Sequence, residues 1–284
     1  MTLVIILGVI LAILLYIYIN YKVIFVSKYQ ICNNKIPDEF DNFRILHLSD
    51  WHCTTYGKNN IKLINKINNL NADMIVITGD FIIRQKKDYK PAIEFIKQMK
   101  CNNIYFSIGN HELALSKKKL EKMTEELENI GVKVLDNTMD KIVKGKAHIN
   151  IYGLTYNYAH QISRKYFDEN IVEKYKRDNE RLIGKVDNDE FNILLSHDPL
   201  NFKVYARMNF DLIFSGHLHG GGIRMFGFGF ATPRRNWFFT RLAAGKKEIG
   251  DSTIIISRGV GNSTIPVRVF DPPEISITTL KSKI

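Results

Sequence analysis

The sequence predicts an α/β protein in which two β-sheets pack face to face with helices outside them, preceded by one apolar N-terminal helix. Three observations lead there. Up to residue 131, β-branched runs alternate with amphipathic stretches at about 30-residue spacing, the signature of parallel βαβ units. The second half is a succession of short strand-like runs, which calls for a second sheet. Residues 3–19, "LVIILGVILAILLYIYI", carry no charge at all.

With its flanks, the apolar run gives about 20 residues, or roughly 30 Å of helix, enough to cross a bilayer. Tyr16, Tyr18 and Tyr21 lie toward one end, where an interfacial aromatic belt sits. No Lys or Arg precedes the run and no small-x-small site follows it, so an uncleaved anchor is expected over residues 1–21 rather than a signal peptide. Lys22, Lys28 and Lys35 follow, and the positive-inside rule then places the rest of the chain in the cytoplasm, as a single-pass protein of the cell membrane. Residues 22–42 read as a polar connector and 43–284 as one domain, large enough for a sizeable core.

Within that domain, "FRILHLS" (43–49), "DMIVIT" (73–78) and "NIYFSI" (103–108) read as buried strands. Between them, residues 60–70 carry a helical stripe of Ile61, Leu63, Ile64, Ile67 and Leu70. Residues 90–99 are helical with Pro91 in the first turn, and 116–131 form an amphipathic helix between a Ser cap and a Gly stop. "KVL", "KIVKG" and "HINIYGL" read as consecutive strands, followed by a polar helix near residues 164–183. Strands are then expected at 191–196, 211–215, 253–257, 267–270 and 274–280.

The net charge of +11 reads either as a Lys-rich solvated surface or as attraction to anionic partners such as headgroups or phosphorylated substrates. No basic run is interleaved with aromatics, so no nucleic-acid partner is expected. Cys32, Cys53 and Cys101 are odd in number and form no C-x-x-C pair, which argues against a disulfide framework and a zinc knuckle.

The chemistry concentrates where strands end. The first stops at Asp50-Trp51-His52, the second at Gly79-Asp80 and the third at Gly109-Asn110-His111-Glu112. Later strands stop at His197-Asp198 and at Gly216-His217-Leu218-His219. Open α/β sheets gather ligands beyond the carboxyl ends of their strands, so these clusters are expected to converge. Carboxylate and amide oxygens mixed with imidazole nitrogens suit Mn, Fe, Zn or Ni better than Ca or Mg. Two Asp, one Asn and four His exceed the needs of one ion but fit two sharing a bridging carboxylate. Such a pair, about 3.5–4 Å apart, generates hydroxide and clamps the oxygens of an in-line displacement.

Asp-x-His, Gly-Asp, Gly-Asn-His-Glu, a later His and then Gly-His-x-His together resemble the calcineurin-like metallophosphoesterases, over residues 43–280. The tail "SRGVGNSTIPVRVFDPPEISITTL" is similar to a membrane-associated bacterial branch that includes lipid-directed phosphodiesterases. The resemblance implies a four-layer α-β-β-α sandwich and two divalent transition metals, manganese among the candidates. It implies one metal held by Asp50, His52, Asp80 and His219, and a second by Asp80, Asn110, His197 and His217, with Asp80 bridging. His111 would contact the scissile phosphate and protonate the leaving oxygen, while metal-bound hydroxide attacks.

Weaker signals surround this set. Glu112 reads either as a support for a ligand or as a helix-start carboxylate. Arg258 and Arg268 read either as phosphate contacts or as surface ion pairs. His47 reads as a core or edge residue, and Cys53 as packing. "IRMFGFGFATPRRNWFFTR" (223–241) reads as a hairpin and helix packed on the core, or as an apolar lip admitting a lipid tail beside Arg234 and Arg235. The expected function is thus a membrane-anchored, binuclear phosphomono- or diesterase with a lipid-like substrate. The alternatives are the same enzyme class acting on a soluble nucleotide or phosphoprotein, and a non-catalytic, metal-stabilised membrane scaffold.

Overall fold

The computed structural model describes residues 2–160, 168–230, 239–262 and 268–282. The apolar run forms α1 (Thr2–Lys22), long and apolar enough to cross a membrane. Its side chains are exposed until the last turns, where it meets loop 268–271.

The first sheet is built around four parallel strands: β2 (Arg44–Leu48), β3 (Met74–Ile77), β4 (Ile104–Ser107) and β5 (Val132–Leu135). Helices α2 (Ile61–Asn68), α3 (Lys90–Ile96) and α4 (Lys117–Asn129) make the crossovers. The stretch read as a polar connector contains a strand the sequence did not announce, β1 (Phe25–Cys32). It pairs in parallel with the last strand, β14 (Glu274–Lys281), which runs antiparallel to β2. β1 escaped notice because it is a sheet edge with exposed Phe25 and Lys28 along it, so no apolar alternation marks it.

The second sheet has the order β12-β13-β9-β8-β7-β6. These strands are β6 (Thr138–Lys144), β7 (Ala147–Leu154), β8 (Asn192–Ser196), β9 (Leu212–Ser215), β12 (Gly245–Ile249) and β13 (Ser252–Ile256). β7, β8, β9 and β13 are parallel, and β6 and β12 close the edges antiparallel. Helices α5 (Glu169–Ile183) and α6 (Phe202–Ala206) cover its outer face. The expected start of the polar helix, residues 164–167, lies outside the described residues. A short hairpin, β10 (Arg224–Met225) and β11 (Phe228–Gly229), follows β9. Of the strand expected at 267–270, residue 267 lies outside the described residues and only Val269 makes a single bridge, to Ile223. Pro272 and Pro273 follow, and neither has an N–H to extend a ladder.

Period-two alternation sorts the side chains into four layers. Ile45, Met74 and Val76 of the first sheet face Ile193, Leu195 and Phe214 of the second. Their neighbours Leu46, Ile75 and Ile77 turn outward onto Leu63, Ile64 and Phe95. Leu194, Ile213 and Ile254 turn the other way onto Phe202 and Val172. The result is an α-β-β-α sandwich in which the parallel strands of both sheets end at the same rim.

Candidate metal centre

That rim brings together two aspartates and five histidines from the strand ends: Asp50, His52, Asp80, His111, His197, His217 and His219. Donor atoms of Asp50, His52 and His219 lie within 4.8 Å of one another, as do those of Asp80, His197 and His217, and those of His52, Asp80 and His111. Asp50 Oδ1 stands 3.4 Å from His219 Nε2, and Asp80 Oδ2 stands 3.2 Å from His197 Nε2. Leu218, between the two histidines, is buried. Asn110 is buried at the same rim, with its backbone carbonyl accepting from the Tyr158 hydroxyl at 3.2 Å.

The strand-to-loop turns are strained. Asp50, His52, Asp80, His217 and His219 all have positive φ, between +45° and +69°. L-residues visit this region at a cost of about 1–2 kcal/mol each, and such strain clusters at functional sites. Gly216 is required for a different reason. A Cβ there would sit 1.9 Å from Ser49 Oγ and 2.2 Å from Asp50 Oδ2. The glycines after the histidines serve the rear wall rather than the metal face: at Gly220 a Cβ would lie 1.9 Å from Asp271 Oδ1.

Backbone carbonyls set the histidine tautomers. A carbonyl only accepts, so His52 Nδ1–H donates to Ile82 O at 3.1 Å, and His197 Nδ1–H donates to Thr78 O at 2.6 Å. In both rings Nε2 is the nitrogen left facing the cluster. His111 differs. Its Nδ1 lies 3.1 Å from Ile82 O and 3.3 Å from the Arg84 N–H, so either tautomer finds a partner.

The electrostatics ask for cations. Burial pushes the Asp50 carboxyl up to about 6, with His197 opposing and Asp80 adding to the rise. Burial also works against the Asp80 charge, yet the His197 charge and its hydrogen bond outweigh it and hold this carboxyl well below its usual range. His197 is disfavoured as a cation by burial, but Asp80 and Asp50 lift it to about 10. Burial lowers His52 to about 4, keeps His219 well below its usual value and lowers His111, so these rings stay neutral. Asp50 Oδ1 and Asn110 Oδ1 are buried without a hydrogen-bond partner among the described residues. Two ionisable carboxylates, neutral imidazoles with lone pairs turned inward and orphaned oxygens are the donor set of divalent metal ions.

Two supports went under-read in the sequence. Glu112 is fully buried, and its carboxylate accepts four backbone N–H groups: Gly109 at 3.0 Å, Asp80 at 2.8 Å, Phe81 at 2.9 Å and Ile82 at 3.3 Å. It therefore pins the loop that carries Asp80 and the carbonyl of Ile82. Arg268 is neither a phosphate contact nor a surface pair. It is buried, and its guanidinium donates to the carbonyls of Arg258, Gly259, Gly261 and Asp271. Arg258 pairs with buried Glu274. His47 is a core residue, 2.8 Å from Thr78 Oγ1 and lowered to about 3 by burial. Of the aromatic stretch, Trp237 and Phe238 with Arg234 and Arg235 lie outside the described residues.

A two-sheet sandwich with this His/Asp/Asn rim defines a dimetal phosphoesterase class of fold. Residues 43–221 match the calcineurin-like phosphoesterase family model, and the chain belongs to that family. The calcineurin-like fold typically binds two divalent metals, and the His/Asp cluster suits such ions. The chain is 29% identical over 253 residues to an uncharacterised metallophosphoesterase of Campylobacter jejuni, covering 88% of this chain and 62% of that protein. It is 27% identical over 256 residues to a Danio rerio transmembrane protein with a metallophosphoesterase domain, covering 87% of this chain and 55% of that one. It thus spans less than two thirds of either relative. Among solved structures, phosphopantetheinyl hydrolase of Mycobacterium tuberculosis aligns with TM-score 0.47 and 11% identity, over 75% of this chain and 87% of that one.

Proposed function

We propose that this chain is a membrane-anchored phosphoesterase that hydrolyses phosphomono- or diesters. The observation that carries the proposal is the pair of buried aspartates, Asp50 and Asp80, ringed by imidazoles and, among the described residues, paired with no Lys or Arg. Asp50, His52, Asp80 and His219 would hold one divalent transition metal, and Asp80, Asn110, His197 and His217 the other. Manganese is the first ion to test, with Fe, Zn and Ni as the competitors that the mixed N/O donors also suit. Bound there, the two ions would supply Lewis acidity and an activated water.

The chain's own groups supply the rest. Ile82 O orients the His52 ring, and the His111 ring lies beside it with the two centroids 4.3 Å apart. With Arg84 N–H donating to Nδ1, His111 holds its proton on Nε2, the nitrogen turned toward Asp80 Oδ2 at 3.8 Å. A proton held at that atom is placed for transfer to a leaving oxygen. A lipid-linked substrate is supported by the exposed Met225, Phe226 and Phe270, which line one groove on the hairpin that follows His219, and by α1. The Lys22, Lys28 and Lys35 bias supports a cytoplasmic domain, which protease treatment of intact cells would leave undigested.

The test is turnover of bis-p-nitrophenyl phosphate by the metal-loaded full chain. Asp80→Asn and His111→Ala are expected to lose at least about 100-fold. Equal turnover by wild type and Asp80→Asn, both carrying two metals, would refute the assignment.

A further inference from the structure

The hairpin after the metal centre carries a cost that folding does not explain. Met225 pairs with Phe228, so Phe226 and Gly227 form a two-residue turn, with φ of +52° and +82°. A turn with both central residues at positive φ favours Asn-Gly, because an aromatic Cβ strains that backbone. Phe226 stands there nonetheless, and it is 91% exposed. Phe270, also at positive φ, is 63% exposed beside it, and Met225 is 50% exposed. With Arg224 and Gly227, these residues line a groove of about 420 Å³. One exposed apolar side chain needs no reason; a cluster, two of them on strained backbone, does.

The position of the cluster suggests its occupant. Phe270 N–H donates to the Tyr16 hydroxyl of α1 at 2.9 Å, and the two rings meet edge-on at 5.4 Å. Asp271 N–H donates to Asn20 Oδ1 at 3.0 Å, and Arg268 N–H donates to the Tyr21 hydroxyl at 3.3 Å. Loop 268–271 therefore lies along the last turns of the helix. Tyr16 precedes Lys22 by about 9 Å along the axis, at 1.5 Å per residue. A spanning helix with Lys22 among the headgroups carries Tyr16 below them, and Phe270 with it. Behind the hairpin, Arg241 stacks over Phe228 at 4.8 Å. Lys247 is lowered by burial and then by the nearby charges of Arg224 and Arg241, so three cations crowd this edge. Cations behind an apolar tip are the arrangement of a segment lying in an anionic bilayer surface.

We propose that the β10–β11 hairpin and Phe270 enter the same leaflet as the C-terminal turns of α1, a second membrane contact that sets the metal rim against the headgroup plane. His219 lies five residues before the hairpin, so the contact fixes which face of the centre meets the lipid. Substrate would then be drawn from the bilayer plane rather than from bulk solvent. This rests on the reading of α1 as a membrane span.

The test is depth-dependent quenching in the full chain, reconstituted into phosphatidylcholine–phosphatidylglycerol vesicles. The background is Trp237→Phe, in which Trp51 is buried. Single tryptophans are added by Phe226→Trp, Phe270→Trp, Leu11→Trp in α1 and Val143→Trp on the far edge of the second sheet. Lipids brominated near the headgroup end of the acyl chain are expected to quench the tryptophans at 226 and 270 by about half, for an immersion of roughly 5–10 Å. The tryptophan at 11 should be quenched by bromines nearer the chain ends, and the one at 143 by neither. Quenching at 11 with none at 226 and 270 overturns the second contact and leaves the anchor standing. No quenching at 11 overturns the anchor, and the second contact with it.

Discussion

Replacing Glu112 with Gln tests how the centre is held. Four backbone N–H groups converge on this carboxylate, two on each oxygen: Asp80 and Gly109 on Oε2, Phe81 and Ile82 on Oε1. A glutamine keeps one acceptor and turns an NH2 toward the other two donors. Two buried N–H groups then lose their partner, at about 1–3 kcal/mol each, or about 2–6 kcal/mol together. Removing a buried negative charge beside Asp80 works the other way, but it returns nothing to the stranded donors. At about 2–4 °C per kcal/mol for a domain of this class, the melting temperature should fall on the order of 10 °C. Because Asp80 and Ile82 O sit on the freed loop, metal affinity should fall about 10–100-fold. Glu112→Asp, which keeps the charge but shortens the reach, should fall in the same direction. The assays are thermal unfolding and metal titration of the full chain. A melting temperature within about 2 °C of the parent, with parental affinity at both metal sites, would refute the reasoning.

Other outcomes follow from the same coordinates. Gly216→Ala forces a methyl against Ser49 Oγ and Asp50 Oδ2, so it should lower both the melting temperature and metal binding; normal values in both would mean that the Asp50 loop yields freely. Chelation should destabilise the protein by about 3 kcal/mol relative to metal at 100-fold over its Kd, and added Mn²⁺ should restore the melting temperature. Arg268→Lys keeps the charge but not the fork that reaches four carbonyls, and should cost about 3 kcal/mol in chemical denaturation. Burial pushes the Cys53 thiol up to about 11 and raises Cys101, whereas Cys32 is exposed; mass spectrometry after brief alkylation near neutral pH should find Cys32 modified first.

The layered sandwich could be read from the sequence because its central strands are buried on both faces and advertise themselves as Val/Ile/Leu runs. The same reading failed at the margins. β1 and β12 are edge strands with Lys28, Lys246 and Lys247 along them, and nothing in their pattern separates them from a polar loop. The metal-capable residues stood out because they follow the strands directly, so chain order alone placed them at one rim. Glu112 and Arg268 were visible but their roles were not. Each acts by collecting backbone groups from other segments, and no spacing in the chain records which N–H or carbonyl a side chain will reach.

Those two residues explain how the strained rim persists. Positive φ at Asp50, His52, Asp80, His217 and His219 would together cost about 5–10 kcal/mol, comparable to the stability of a whole domain. The structure meets this from two sides. Glu112 grips loop 79–82 through its amides, fixing Asp80 and the carbonyl that aims His52. Arg268 grips loop 258–261 through its carbonyls. In that second loop, Val260 N–H donates to Ser49 O at 3.1 Å and Gly261 N–H to Asp50 O at 2.8 Å, fixing the other aspartate. One anion that collects backbone N–H groups and one cation that collects backbone carbonyls thus brace the two carboxylates separately. Arg268 itself belongs to loop 268–271, and its N–H donates to the Tyr21 hydroxyl of α1, so the brace behind Asp50 is continuous with the contact between domain and helix. Movement of that helix relative to the domain would reach the Asp50 side of the centre before it reached the Asp80 side.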